Sequence, residues 1–225
     1  MIEEEALKRN HQIILRIDIE NRSTITVNDL KECDVAIEFT SPQSAIQNIK
    51  WCIDAELPVV VGTTGWYEQI DEIKAYCTAK NGSVLYASNF SVGVNIFFAL
   101  NEYLARIMNN YPQYNPLIEE IHHQHKLDAP SGTAISIAQG IIKNLERKKS
   151  FVNQYAQHPD QLSVISYRQG EVPGTHIVKY QSEIDDIEIK HQAHNRKGFA
   201  LGAVIAAEWL LNKKGFFTIN QVYRF

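Results

Sequence analysis

Apolar residues along the chain follow two regimes. Through the first ninety or so residues they come as short unbroken runs separated by stretches with three-to-four spacing. The runs Gln12–Ile17, Asp34–Phe39, Pro58–Val61 and Ser83–Ala87 are predicted strands. Residues 1–10 are predicted helical, with Ile2, Ala6 and Leu7 apolar, Glu3–Glu5 early and Lys8 and Arg9 late, a charge order that suits the helix dipole. Ser41 as cap and Pro42 at the first helical position start a second helix carrying Ala45, Ile46, Ile49, Cys52 and Ile53. A third places Ile70, Ile73, Tyr76 and Cys77 on one face. Strands that alternate with helices imply βαβ units, and continuous apolar runs imply a parallel sheet covered on both sides.

After the apolar helix predicted over Val92–Met108, the period changes to two. Leu117–His125, Leu162–Tyr167, Thr175–Gln181 and Ile187–His194 alternate, which predicts an open mixed sheet. One helix, from about Gly132 to Leu145, interrupts it, and the basic run Arg147-Lys148-Lys149 that follows is expected on the solvated surface. A last apolar helix spans Phe199–Leu211, followed by a tail with a further helix after Thr218. The expected division is therefore α/β: residues 1–91 with 197–225 as one domain, and 92–196 as a second, α+β domain.

Composition narrows the class. A net charge of -4 gives no global basic field for nucleic acid. The cysteines Cys33, Cys52 and Cys77 lack metal-ligand spacing and suit a reducing compartment. No apolar run approaches the roughly 18 residues of a membrane span, and the acidic N-terminus is no secretion signal. The expectation is a cytoplasmic protein acting on small molecules.

Two sets of residues carry candidate chemistry. In parallel α/β sheets, ligands bind beyond the carboxyl ends of the strands. Those ends are Asp18, Phe39-Thr40, Gly62-Thr63-Thr64-Gly65 and Ser88-Asn89-Phe90, a small, polar and glycine-rich rim suited to a cofactor. The second set is Glu119–Ala134, which gathers His122, His123, His125 and Lys126 ahead of Pro130-Ser131-Gly132-Thr133. Histidine changes charge near neutral pH and is the usual proton donor. Lysine supplies a fixed cation. The amides of Ser131, Gly132 and Thr133 at a helix start can hold phosphate or carboxylate, and Gly132 lets the anion come close. The combination suits an anionic substrate that must be protonated. Zinc is disfavoured, because His122, His123 and His125 on one strand point to alternating faces; no metal is expected. Taken singly, a surface histidine, a helix cap or a glycine turn would carry no function.

Together these segments resemble dihydrodipicolinate reductase. Glu120-Ile121-His122-His123 through Lys126, then Asp128-Ala129-Pro130-Ser131-Gly132-Thr133-Ala134, is similar to the family signature almost letter for letter. Val61–Gly65, Ser88–Asn95, the stretch from Arg168 to His176, and Arg196 with Phe199 are similar to further family segments, so the resemblance covers the chain from Asp18 onward. It implies a Rossmann-like dinucleotide-binding domain and a substrate domain. It implies hydride transfer from NADH or NADPH to the ring formed from 4-hydroxy-tetrahydrodipicolinate by loss of water, in the diaminopimelate branch of lysine biosynthesis. His122 matches the family's general acid and Lys126 a second essential group. His123, Ser131, Gly132 and Thr133 match carboxylate binders. Asp18, Gly62, Thr63, Thr64, Ser88, Asn89, Phe90, Arg196 and Phe199 match the cofactor side. Family members are usually homotetramers joined through the second domain's sheet.

The chain departs from the family at its front, where the first strand and Gly-rich pyrophosphate turn have no match. Asp18 lies where the ribose-binding acid would follow such a turn. The sequence is thus expected to be N-terminally truncated. The alternative is a non-catalytic relative that binds dicarboxylate but not dinucleotide. A semialdehyde dehydrogenase, a further two-domain nicotinamide enzyme, would need a nucleophilic cysteine at a strand's carboxyl end, which none of the three offers.

Overall fold

The computed structural model describes residues 1–224. The chain divides into two compact units, Met1–Val92 with the segment from Lys197 onward, and Gly93–Arg196.

The first unit holds a four-stranded parallel sheet in which three strands lie in chain order and the last, β9 (Gly215–Thr218), lies beside the third. Its elements in chain order are α1 (Ile2–Lys8), α2 (Val27–Leu30), β1 (Ala36–Glu38), α3 (Pro42–Asp54), β2 (Val59–Val61), α4 (Ile70–Ala79) and β3 (Ser83–Tyr86). The apolar runs fill both faces. Val59, Val61 and Val84 pack with Ala45, Ile49 and Ile53 of α3 and with Ile73 and Cys77 of α4. Val60 and Leu85 point the other way, into a core completed by Ala203, Ala206 and Leu210. That is why these strands carry no polar alternation. Ser41 caps α3 and Pro42 sits in its first turn, although the Ser41 hydroxyl meets that of Ser44 rather than a backbone amide.

Gln12–Ile17 departs from its expected strand: it joins no ladder among the described residues. A strand exists only through a partner's hydrogen bonds. Here a groove of about 790 Å³, lined by Ile13 and Leu15 on one side and by Val35 and Ile37 on the other, lies along the free edge of β1.

α5 (Val92–Met108) opens the second unit. It is followed by β4 (Asn115–His122), α6 (Gly132–Asn144), β5 (Ser150–Val152), β6 (Gln161–Arg168), β7 (Thr175–Gln181) and β8 (Asp186–Gln192). The sheet order is β5-β6-β4-β7-β8, mixed as expected, with β4 parallel to β6 and antiparallel to β7. Alternation along β4 sends Ile118, Glu120 and His122 to the buried face. There Ile118 packs with Ile137 and Ile141 of α6 and with Phe97 and Ala105 of α5. Glu119 goes to the other face and meets Lys179 of β7 at 2.6 Å.

Within the run Arg147-Lys148-Lys149, Lys149 is exposed as expected, but Arg147 and Lys148 depart from the solvated surface. Arg147 donates to the carbonyls of Met108 and Tyr114, and buried Lys148 donates to those of Pro159 and Gln161. Charge density in sequence does not reveal that carbonyls without ladder partners await those donors.

The chain re-enters the first unit with α7 (Lys197–Leu210), then β9 (Gly215–Thr218) and α8 (Ile219–Tyr223). β9 was not expected from so short a tail. It pairs with β3 from Ser83↔Gly215 to Tyr86↔Thr218. Arg9 and His11, following α1, both reach Glu208 of α7, at 2.6 and 2.8 Å, and hold its carboxyl down to about 2.

Candidate functional site

The second unit's cluster starts from the β4–β7 ladder, where Glu120 lies opposite His176. Glu120 is fully buried. Its Oε1 accepts from the Ser131 amide at 3.0 Å and from Arg168 Nη2 at 3.3 Å. Its Oε2 stands 3.1 Å from His122 Nδ1 and 3.9 Å from His176 Nε2. Burial alone would raise the Glu120 carboxyl; the contacts with His122 and Ser131 outweigh it and hold the group well below the usual carboxylate range. Burial, with His122 adding to it, pushes His176 down to about 3, so that ring is neutral. The His122 and His176 rings meet edge to face at 5.1 Å.

Only His122 of the three neighbouring histidines lies in β4; His123 and His125 fall in the turn after it, and His125 is exposed. The turn is pinned by Gln169 donating to the His122 carbonyl at 2.8 Å and Gln124 donating to that of Gly170 at 3.1 Å. Arg168 adds hydrogen bonds to the carbonyls of Lys126 and Asp128. Lys126 Nζ meets Asp128 Oδ1 at 2.7 Å and lowers that carboxyl. A Cβ at Gly174 would stand 3.1 Å from His122 Nε2, so the glycine leaves room in front of that nitrogen.

The expected amide cradle is smaller than its sequence suggests. The Ser131 amide is taken by Glu120. The Ser131 hydroxyl caps α6 by accepting from Ala134 N, and meets His176 Nε2 at 3.2 Å. The amides of Gly132 and Thr133 take no partner among the described residues, and Gly132 faces open space. Sequence reading could not see that a carboxylate eleven residues upstream would claim the first of three donors. It also left Arg168, Gly174 and His176 without roles, because their bearing on the site comes from strand register alone.

Glu120, His122 and His176 each place one possible metal ligand within 4.8 Å of the others. The Arg168 guanidinium already contacts the Glu120 carboxylate, and a second cation there would oppose it.

In the first unit, the carboxyl ends of β1, β2 and β3 lie along one edge of the parallel sheet. A Cβ at Gly62 would stand 2.1 Å from the exposed Phe39 ring, so any larger residue there would push that ring aside. Gly65 turns at φ +82. Thr64 and Ser88 are exposed. Thr63 is buried and structural, with its hydroxyl accepting from Thr40 N and its carbonyl from Trp66 Nε1. The Phe90 ring lies in the core and its carbonyl accepts from Tyr223. Asn89 caps Ser91 N. Asp18 is exposed; its Oδ1 accepts from Glu20 N and Asn21 N, while Oδ2 has no partner among the described residues. Arg196 is exposed at the end of the second unit, and Phe199 is half-exposed on α7. The glycine turns, exposed hydroxyls and available carboxylate oxygen fit a nicotinamide dinucleotide.

Family models described as dihydrodipicolinate reductase, N-terminus, and dihydrodipicolinate reductase, C-terminus, match residues 4–90 and 93–223. The chain belongs to the dihydrodipicolinate reductase family. A 4-hydroxy-tetrahydrodipicolinate reductase from Christiangramia forsetii is 46% identical over 223 residues, spanning 98% of this chain and 91% of the relative. The dipicolinate-bound dihydrodipicolinate reductase from Paenisporosarcina sp. TG-14 shares the fold at a TM-score of 0.74 and 21% identity, covering 98% of this chain and 94% of that one. The chain is therefore an enzyme, an oxidoreductase with a nucleotide-binding domain, and nothing in these likenesses favours a non-catalytic relative. The dehydrogenase alternative also loses its nucleophile: burial pushes Cys52 up to about 12 and raises Cys33 and Cys77 as well.

Proposed function

We propose that this reductase converts the dihydrodipicolinate ring, formed from 4-hydroxy-tetrahydrodipicolinate by loss of water, to tetrahydrodipicolinate in the diaminopimelate route to lysine. The first unit would hold NADH or NADPH through Asp18, the Gly62–Gly65 turn and Ser88. When bound, the cofactor supplies the hydride. The second unit's own residues bind the dicarboxylate and provide the proton. The observation that carries this reading is the buried His122 ring, braced by Glu120 at Nδ1 and left clear at Nε2 by Gly174. Lys126, His123 and the partner-free amides of Gly132 and Thr133 would hold the carboxylates. His122 Nε2 then donates its proton to the ring, and Lys126 balances charge beside it.

Asp18 favours NADH, because a carboxylate accepts from a ribose 2′-hydroxyl but repels a 2′-phosphate. Two nearby arginines are already engaged: Arg16 with Glu3 at 2.7 Å, and Arg22 stacked 3.5 Å over Trp51. A homotetramer joined through the mixed sheet and a cytoplasmic location belong to the same reading, the former supported by the second sheet face that carries Glu119 and Lys179.

The test supplies freshly made dihydrodipicolinate synthase product and NADH, and follows loss of the dihydronicotinamide absorbance. His122→Gln should lower turnover by two orders of magnitude or more, on the scale of a lost general acid, roughly 10²–10⁴-fold. No absorbance loss with the parent protein, or an unimpaired His122→Gln variant, would overturn the assignment.

A further inference from the structure

Glu120 has no place in the reading above as a group that meets substrate: it is wholly buried under α6. Its surroundings are nonetheless specific. One carboxylate oxygen is used by the Ser131 amide and by Arg168. The other, Oε2, stands 3.1 Å from His122 Nδ1; both atoms are buried, and neither has a well-aligned hydrogen-bond partner. A buried carboxylate oxygen and a buried ring nitrogen left in this way cost free energy unless a proton lies between them.

His176 does not compete for that oxygen. It is 3.9 Å away, beyond hydrogen-bond distance, and its Nε2 is 3.2 Å from the Ser131 hydroxyl. The Ser131 oxygen accepts from Ala134 N, so its hydrogen is available to a neutral His176 Nε2. His122 Nδ1 is thereby the ring nitrogen nearest Glu120 Oε2, and Ser166 of β6 also hydrogen-bonds the carboxylate. Arg168, on the far side of the carboxylate, opposes its protonation.

We infer that Glu120 is a positioning residue for the reductase step, holding a proton on His122 Nδ1 and turning Nε2 into the space in front of Gly174. The inference rests on His122 being the proton donor. In the step, the Nε2–H bond breaks and its electron pair stays on the imidazole. The proton passes to the substrate ring, and His122 is left neutral with its remaining hydrogen on Nδ1, donated to a carboxylate that never changes charge. A carboxylate that orients a histidine in this way is worth up to about 10⁴-fold in turnover where it has been removed in triad enzymes.

The test compares Glu120→Gln, Glu120→Asp, His122→Gln and the Glu120→Gln/His122→Gln double variant in the full chain, with kcat and KM measured separately. The glutamine can still accept from Ser131 N, but it offers an N–H to His122 Nδ1 and so shifts the ring's hydrogen to Nε2, a neutral imidazole that is a far weaker acid. Expected results are a kcat loss on the order of 100-fold or more for Glu120→Gln with KM little changed. Partial recovery is expected in Glu120→Asp, and no further loss when Glu120→Gln is added to His122→Gln. Imidazole nitrogen NMR should show hydrogen on Nδ1 in the parent at neutral pH and on Nε2 in Glu120→Gln. Unchanged kcat in Glu120→Gln beside an impaired His122→Gln sinks this inference alone, as do additive losses in the double variant. A fully active His122→Gln removes the proton-donor reading itself. If Glu120→Gln does not fold, the parent spectrum decides, since an Nε2–H tautomer there overturns the assignment.

Discussion

Lys126 Nζ and Asp128 Oδ1 form an ion pair at 2.7 Å inside a turn whose backbone Arg168 holds at the carbonyls of both residues. The cation is fixed in place by its own loop, half-buried, and four residues past His122 at the end of β4. Replacing Lys126 with Ala should lower kcat/KM by about 10- to 100-fold, the worth of one charge-assisted hydrogen bond. Steady-state rates over a range of substrate concentrations would show the loss in both KM and kcat. A change of less than twofold would mean that the Asp128 pair is structural only.

Ser131 caps α6 and supports His176 at once. Ser131→Ala removes both contacts while leaving the amide that serves Glu120. The expected cost is about 1–2 kcal/mol of stability in the second unit, the usual worth of an N-cap. Denaturant unfolding followed by a probe in that unit measures it.

His176 gives the stability a pH signature. Its pKa is depressed in the folded chain, to about 3, so the unfolded chain binds its proton first as pH falls. Stability is fully present above the ordinary histidine range near 6.5 and is lost progressively down to about pH 3. The limiting slope is about 1.4 kcal/mol per pH unit for one proton. His191, also lowered by burial, adds in the same direction, and Glu120 joins as pH falls from the ordinary carboxylate value near 4.5 downward. His176→Asn should flatten the unfolding free energy between about pH 6 and 4.5 without removing the steeper fall below.

Gly202 of α7 lies against the strand-end loop of the first unit: a Cβ there would stand 1.7 Å from the Phe90 carbonyl oxygen. Backbone cannot yield as a flexible side chain can. Gly202→Ala should destabilise the first unit by about 3 kcal/mol or more, at the upper end of overpacking costs. The melting temperature and the affinity for NADH should fall together.

Asp18→Ala should narrow any preference for NADH over NADPH by roughly tenfold, about 1.4 kcal/mol. Titrating both cofactors by fluorescence against parent and variant gives the ratio. An unchanged ratio would place the ribose elsewhere.

The broad plan was legible because each unit obeys one period. Buried parallel strands showed as the bare runs at Val59–Val61 and Ser83–Tyr86, and the mixed sheet as the alternation in Thr175–Gln181. Segments that depend on a distant partner were not legible. Gln12–Ile17 has the composition of a strand but no ladder, and Gly215–Thr218 has a ladder but little local signal. The site divides in the same way. Glu120, His122 and Lys126 stand out from their local run, whereas Arg168 and His176 reach it only because β6 and β7 flank β4 at a particular register. The Ser131 amide counted as free in sequence, since nothing local says that Glu120 faces it.

The two faces of β4 have separate fates. Glu120 and His122 look into the unit, while Glu119 between them looks the other way to Lys179. One peptide separates a residue under chemical constraint from one under surface constraint, with the plane of the sheet as insulation. Evolution or a protein engineer can therefore rewrite the outward code of this strand without disturbing the buried Glu120–His122 pair a single residue away. Inserting or deleting one residue in β4 would exchange the two codes and abolish both.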